Sequence, residues 1–215
     1  VAGLKASQLR RLQNLYRRRV PPESLISPLV ANEIARLSSE LGREVALILS
    51  RPGTVEYVVV GESSALVLPS LDDYRSGPGR LRGLRCIHTQ LSDGGLSRDD
   101  LTDLALLRLD AVAVVRVRPD GSAGPIHCAH LMPTAGDGQV NWQELEPRPA
   151  HDLRLDFEQL VRSLDEEFAR QARERSVSDR ERAVLVSVTE APRAEAEARM
   201  DELALLADSA GLVVV

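Results

Sequence analysis

Aromatic side chains are the scarcest building blocks of this chain: only 3% of its 215 residues are Phe, Trp or Tyr. The core must therefore be aliphatic, built from the Leu and Val that dominate the 43% of hydrophobic residues. There are two cysteines, Cys86 and Cys128, without framework spacing, which excludes a disulfide scaffold and fits a reducing compartment. No apolar run approaches the roughly 20 residues needed to span a bilayer, and no signal-peptide pattern opens the chain. The expectation is a soluble, cytoplasmic protein. G-x-x-x-x-G-K-[ST] is absent, so nothing here can hold a triphosphate in the P-loop manner. Gly77-Pro78-Gly79 and Gly136-Asp137-Gly138 are too short for phosphate cradles and read as turns. Neither a Ser/His/Asp order nor a C-x-x-C offers persuasive catalytic spacing.

The charge that is present is unevenly spread. The net charge is −5, which argues against a dedicated nucleic-acid binder. Residues 1–20 nevertheless hold Lys5, Arg10, Arg11, Arg17, Arg18 and Arg19 and no acid. They read as a basic helical arm, domain 1–22, with Leu9, Leu12, Leu15 and Tyr16 as its apolar stripe and Pro21-Pro22 as its stop. The arm is either solvated, or paired with the acidic body, or in contact with RNA phosphates, where released counterions favour binding.

The fold class read from the pattern is α/β. Ser27-Pro28 caps a helix through Leu29, Ile34, Leu37 and Leu41 to Gly42. Val45–Leu49 and Val55–Val60 form a hairpin across Arg51-Pro52-Gly53. A short strand is expected at 65–68, then a loop over 70–80, strand 84–88, helix 97–109 and strand 111–117. Asp120-Gly121 marks a turn before Ile126–Met132, and the Pro- and Gly-rich stretch 133–150 reads as a boundary. A charged amphipathic helix over 153–175 carries Leu153, Phe157, Leu160, Val161, Leu164 and Phe168 on one face, within a linker region 151–180. Strand 183–188, helix 193–210 and strand 212–215 then give β-α-β, a parallel pair that needs further strands beside it. Because the chain stops there and starts with Val, the expectation is a fragment of a longer protein.

The chemically richest segment runs from Cys86 to Asp103. Strand alternation puts His88 and Gln90 on one side of the sheet. Ser97 supplies a hydroxyl N-cap, and Asp99, Asp100 and Asp103 load the first turns of the helix with negative charge at the positive end of its dipole. This loop is either the remnant of a site or a very polar turn. Cys86 with His88, and Cys128 with His130, would form a tetrahedral zinc site if their strands were adjacent and in register. Buried cysteines in Val- and Leu-rich strands are more commonly plain core residues.

Several segments resemble the long-form HflX GTPases: Leu4-Lys-Ala-Ser-Gln-Leu-Arg-Arg-Leu12, Leu15-Tyr-Arg-Arg-Arg-Val-Pro-Pro22, Arg85-Cys-Ile-His-Thr-Gln90, the 96–110 block, and His130-Leu-Met-Pro133. Residues 181–215 resemble the opening of the core N-terminal domain of that family. The resemblance implies the N-terminal region of a GTPase that associates with the large ribosomal subunit and its RNA. GTP and magnesium are then expected only in a G domain further along, and no GTP hydrolysis by these residues themselves.

A second resemblance covers 28–150. His-x-His, a short turn, then Ser-x-x-Asp opening a helix is the metal motif of the JAMM/MPN peptidases and RadC-like proteins. There two His and the Asp bind zinc, the Ser assists the oxyanion and an upstream Glu is the general base. Carried over, His88 is the first ligand, Ser97 the serine, Asp100 the carboxylate and Glu44 the base. Gln90 stands where the second His belongs, and the turn to Ser97 is one residue shorter. An amide is a poor zinc ligand beside imidazole. The resemblance thus implies an MPN-like mixed sheet with flanking helices and a decayed metal site, without catalysis, metal or cofactor, and suited to accessory or homodimer-forming roles. The alternative is a JAMM-type zinc-dependent hydrolase.

Overall fold

The computed structural model describes residues 3–61, 66–77, 79–133, 141–178, 182–186, 189, 192–209 and 213–214. They form an α/β structure in two compact units, Val1–Ala169 and Arg170–Val215. Among the described residues, no helix is long and apolar enough to cross a membrane.

In the first unit, α1 (Ala6–Leu15) and α2 (Pro28–Leu41) precede a hairpin of β1 (Val45–Ser50) and β2 (Val55–Val60). The remaining strands are β3 (Leu84–Gln90), β4 (Ala111–Val117), β5 (Ala123–Met132) and β6 (Asn141–Arg148), with α3 (Arg98–Leu106) between β3 and β4. They make one sheet in the order β2-β1-β3-β4-β5-β6. Only β3 and β4 run parallel, because only they are joined by a helical crossover; every other neighbour pair is antiparallel.

Local chemistry explains most of these elements. Ser27 Oγ accepts from Val30 N at 3.4 Å, Pro28 takes the first helical position, and Gly42 closes α2 in the left-handed region at φ 61°. Gly53 turns the β1–β2 hairpin at φ 82°; a Cβ there would lie 1.6 Å from Val20 O, so only glycine fits. Asp120 accepts from the Ser122 amide and hydroxyl at 2.9 and 2.6 Å, shaping the β4–β5 turn.

The sheet is covered on both faces. Ile87, Ala113, Val115, Ile126 and Cys128 pack with the α2 residues Val30, Ile34 and Leu37. Ile48, Cys86, Val112, Ala129 and Leu131 face the other way and pack with Leu101 and Leu104 of α3. Burying one such aliphatic side chain is worth about 1.5–3 kcal/mol.

Several expectations are corrected. The basic helix is shorter than its sequence pattern and is docked, since Leu12 and Leu15 are buried in the sheet's own core while Leu9 and Tyr16 are exposed. Tyr16 Oη instead accepts from Val58 N of the edge strand β2 at 3.1 Å. Residues 66–68 are not strand, and residue 65 lies outside the described residues. The supposed boundary 133–150 contains β6, which pairs with β5; residues 134–140 lie outside the described residues. Pro147 and the alternating Glu144 and Glu146 hid β6 in the sequence, yet an outer strand tolerates both, having one free edge.

The region read as a linker helix begins with α4 (Phe157–Ser178), whose Phe157, Val161, Leu164 and Phe168 are buried, so the first unit reaches Ala169. Asp156 caps it by accepting from Gln159 N at 2.9 Å. The second unit holds β7 (Arg182–Ala183), α5 (Arg193–Ser209) and β8 (Val213–Val214), with β7 and β8 parallel as the β-α-β pattern requires. Residues 184–186 do not continue the expected strand, and 187–188 and 215 lie outside the described residues.

Candidate functional site

Parallel β3 and β4 with α3 between them leave a crevice where β3 ends and α3 begins, the place where α/β sheets commonly hold ligands. The residues singled out by the motif meet there. Ala46 pairs with His88 in the antiparallel β1–β3 register, so Glu44, two residues earlier, comes opposite Gln90. Glu44, His88, Gln90, Ser97 and Asp100 all line one cavity of about 290 Å³, together with Asp99 and Asp103.

Asp100 is committed on both oxygens. Its Oδ2 accepts from Ser97 N at 2.7 Å and Ser97 Oγ at 2.8 Å, while Ser97 Oγ accepts from Asp100 N at 3.1 Å, a reciprocal capping box. Its Oδ1 lies 2.9 Å from His88 Nε2. The contact is an ion pair whenever the imidazole is protonated. His88 is 5% exposed.

The charges explain each other. Burial pushes His88 down, but Asp100 and then Glu44 outweigh it, so the imidazole sits above its usual value. Burial alone would raise Asp100; His88 and the Ser97 donors outweigh that and hold it below the usual carboxylate range. Glu44 is raised by burial, and the Asp100 carboxylate adds to the effect against His88. Asp103 is raised by burial and then by Asp100 and Asp99.

Two features of the site, and one at the far end of β3, carried no readable signal. Thr89 is fully buried, accepts from Val45 N at 2.9 Å and donates to Ser38 Oγ at 2.8 Å, and Ser38 donates to Arg43 O at 2.7 Å. This chain of hydroxyls ties the loop that bears Glu44 to β3. Gly95 lies against His127: a Cβ there would come 2.6 Å from the ring Nδ1, which keeps the β3–α3 loop close on the sheet. Arg85, at the start of β3, is 1% exposed with no hydrogen-bond partner on Nε, Nη1 or Nη2, and stacks 4.6 Å over the Phe157 ring. Burial lowers its pKa to about 10, with Asp110 partly opposing.

The cysteine–histidine zinc site does not form. β4 separates β3 from β5, and Cys86 packs with the α3 side of the sheet while Cys128 packs with the α2 side. Cys86 and Cys128 are buried thiols, and burial raises both, Cys128 to about 11. They are core residues. Among the described residues, no three His, Cys, Asp or Glu side chains converge so as to hold a metal ion.

The basic residues are divided by α2. Arg11 pairs with Glu40, and Arg18 with Glu33 at 2.7 Å. Lys5, Arg10, Arg17 and Arg19 are exposed, and none has a carboxylate partner among the described residues. Comparison of the chain with protein-family models, with curated proteins and with solved structures returns no match.

Proposed function

We propose that this chain is the N-terminal accessory region of an HflX-type, ribosome-associated GTP-binding protein, working in the cytoplasm as a non-catalytic binding module on an MPN-like fold. The observation that carries the reading is the basic helix. It is anchored to the sheet by Leu12 and Leu15, and Arg10 on it, with Lys5, Arg17 and Arg19 just beyond its ends, is exposed without an acidic partner among the described residues. Such cations suit phosphate contacts of ribosomal RNA. The commitment of both Asp100 oxygens, together with Gln90 in place of an imidazole, supports the absence of catalysis. GTP and magnesium belong to a G domain outside these residues.

The test is sedimentation with purified large ribosomal subunits at low and moderate salt. Co-migration that weakens with salt and is lost in Arg10→Glu/Arg17→Glu/Arg19→Glu is expected. No co-migration at either salt removes the RNA reading. These side chains are exposed, so the reversal should alter stability by no more than about 0.5 kcal/mol. Pairing with a second copy belongs to the same reading, since β6 leaves an outer sheet edge. Light scattering at several concentrations checks it, and a strict monomer counts against it.

The meeting of Glu44, His88, Ser97 and Asp100 in one cavity favours a second reading, a JAMM-type zinc hydrolase. Stoichiometric zinc in the purified chain, removed by His88→Ala, would establish it over the first. Zinc-free protein would leave the non-catalytic reading standing.

A further inference from the structure

The few aromatic rings of this chain are disposed in three ways. Phe157 and Phe168 are buried in the two cores, and Tyr57 and Tyr74 pack edge to face with centroids 6.4 Å apart. Tyr16 and Trp142 are left exposed, at 45% and 41%. Trp142 stands two residues from Glu144 on the acidic strand β6, whereas Tyr16 runs directly into Arg17, Arg18 and Arg19. A polyanion is repelled from the first ring and attracted to the second.

Tyr16 is also held in place. It caps the C-terminal end of α1, and its Oη accepts from Val58 N of the edge strand β2 at 3.1 Å. The phenol is thus fixed at its far end while the residue stays open to solvent. α1 packs on α2 and β2, and the carboxylates of both are engaged. Glu33 and Glu40 of α2 take Arg18 and Arg11, and Glu56 of β2 accepts from Tyr74 Oη at 3.1 Å. Arg17 and Arg19, on the chain leaving Tyr16, have no carboxylate partner among the described residues.

We propose that this surface binds single-stranded RNA, with one base stacked on the Tyr16 ring and the neighbouring phosphates against Arg17 and Arg19. The inference rests on the ribosomal reading and deepens it, by naming the form of RNA that the arm takes. Cations alone accept any phosphate backbone, and the denser charge of a duplex most strongly. A fixed, open ring adds what a duplex has no use for, because paired bases are already stacked on one another and only an unpaired base offers its face. Stacking of this kind is indifferent to which base arrives, so recognition follows strandedness rather than sequence. The bond from Val58 N orders the ring before the RNA arrives, which lowers the entropy lost on binding.

The test is fluorescence anisotropy of the full chain at low salt with three labelled probes: oligouridylate about ten nucleotides long, its duplex with oligoadenylate, and an abasic strand of the same backbone. The single strand should bind tightest, with the duplex and the abasic strand each about tenfold weaker or more. Tyr16→Ala should weaken the single strand about tenfold, as loss of one stacked base does, and leave the duplex unchanged. Tyr16→Phe keeps the ring face and should restore most of the affinity. Duplex binding as tight as that of the single strand, equal binding of the abasic strand, unchanged affinity in Tyr16→Ala, or equal binding of labelled oligoglutamate would each overturn the proposal. If Tyr16→Ala does not fold, the unaltered chain decides: added single strand should move the Tyr16 ring-proton resonances upfield, and resonances that stay in place would overturn it. Sedimentation separates the two failures. Co-migration with large subunits beside a failed oligonucleotide test sinks the stacking alone, whereas absent co-migration sinks the ribosomal reading and this inference with it.

Discussion

Two charge clusters sit at opposite ends of the same sheet, and they are built on opposite terms. At one end Asp110, fully buried, accepts from Arg51 Nε and Nη2 at 2.7 and 3.1 Å and from Gly83 N at 3.0 Å, while Arg51 Nη1 reaches Asp165 of α4 at 2.5 Å. Each acceptor there has its donor, and the cluster fastens the β1–β2 turn, the start of β3 and α4 together. At the other end Glu44, His88, Gln90 and Asp103 line an open cavity with buried atoms unpaired. A fold spends buried polar groups on structure when it satisfies them. Groups left unsatisfied beside a cavity are where a ligand is to be sought.

The comparison can be broken by mutation, and the largest effect belongs to the satisfied end. Asp110→Ala removes two of the Arg51 bonds, leaving that guanidinium to Asp165, and takes the acceptor from the Gly83 amide; it should cost about 2–3 kcal/mol, read as a lower urea midpoint. Arg85 sharpens the contrast, because it is buried and charged yet has no hydrogen-bond partner. Arg85→Met keeps the stem packed near Phe157 and sheds the desolvation cost, so stability should hold or rise by as much as about 2 kcal/mol. A loss as large as that of Asp110→Ala would show that the stacking on Phe157 outweighs the desolvation.

At the incomplete end the effects are smaller. Asp100→Asn removes the His88 ion pair and weakens the Ser97 box, for an expected loss of about 1–2 kcal/mol by denaturant titration. The same pair sets a pH window. Asp100 is depressed from 3.8, so its contribution is present above that value and fades as pH falls through the native carboxylate. His88 is raised from 6.5, so its contribution is complete below that value and fades as pH rises through the native imidazole. Stability from the pair is therefore greatest between 3.8 and 6.5. Urea midpoints should decline from about pH 6 to about pH 8, and that alkaline limb should flatten in Asp100→Asn. The smallest expected effect is that of Gln90→His on stability, within about 0.5 kcal/mol, since the side chain lines an open cavity. If the JAMM-like geometry is sound, that variant should nonetheless gain zinc by metal analysis.

What the site owes to its residues alone is the α3 end of it. Ser97 and Asp100 are three positions apart at a helix start, and a capping box needs nothing more distant than that. The placing of His88 beside Asp100 was legible as well, through the motif. The resemblance named Glu44, but no local rule brings it to the same cavity, because 44 residues and a whole hairpin separate it from His88 and only the β1–β3 register joins them. Arg85 gave no sign of burial, since an arginine in a strand is as often on the outer face.

The sequence by itself determined the parts whose causes lie within a few residues: the caps at Ser27 and Ser97, the left-handed Gly42 and Gly53, the alternation of β3, and the parallel sense that a helical crossover imposes on β3 and β4. Tertiary structure alone decided what depends on strand order. It put β4 between Cys86 and Cys128 and turned them to opposite faces, docked the basic helix and recruited Glu33 and Glu40 to neutralise two of its arginines, and made an outer strand of a stretch that reads as a boundary. The reason is physical. Turns and caps are satisfied by neighbouring backbone groups, whereas burial, pairing and cavity walls are set by side chains that meet only once the sheet has closed its ranks.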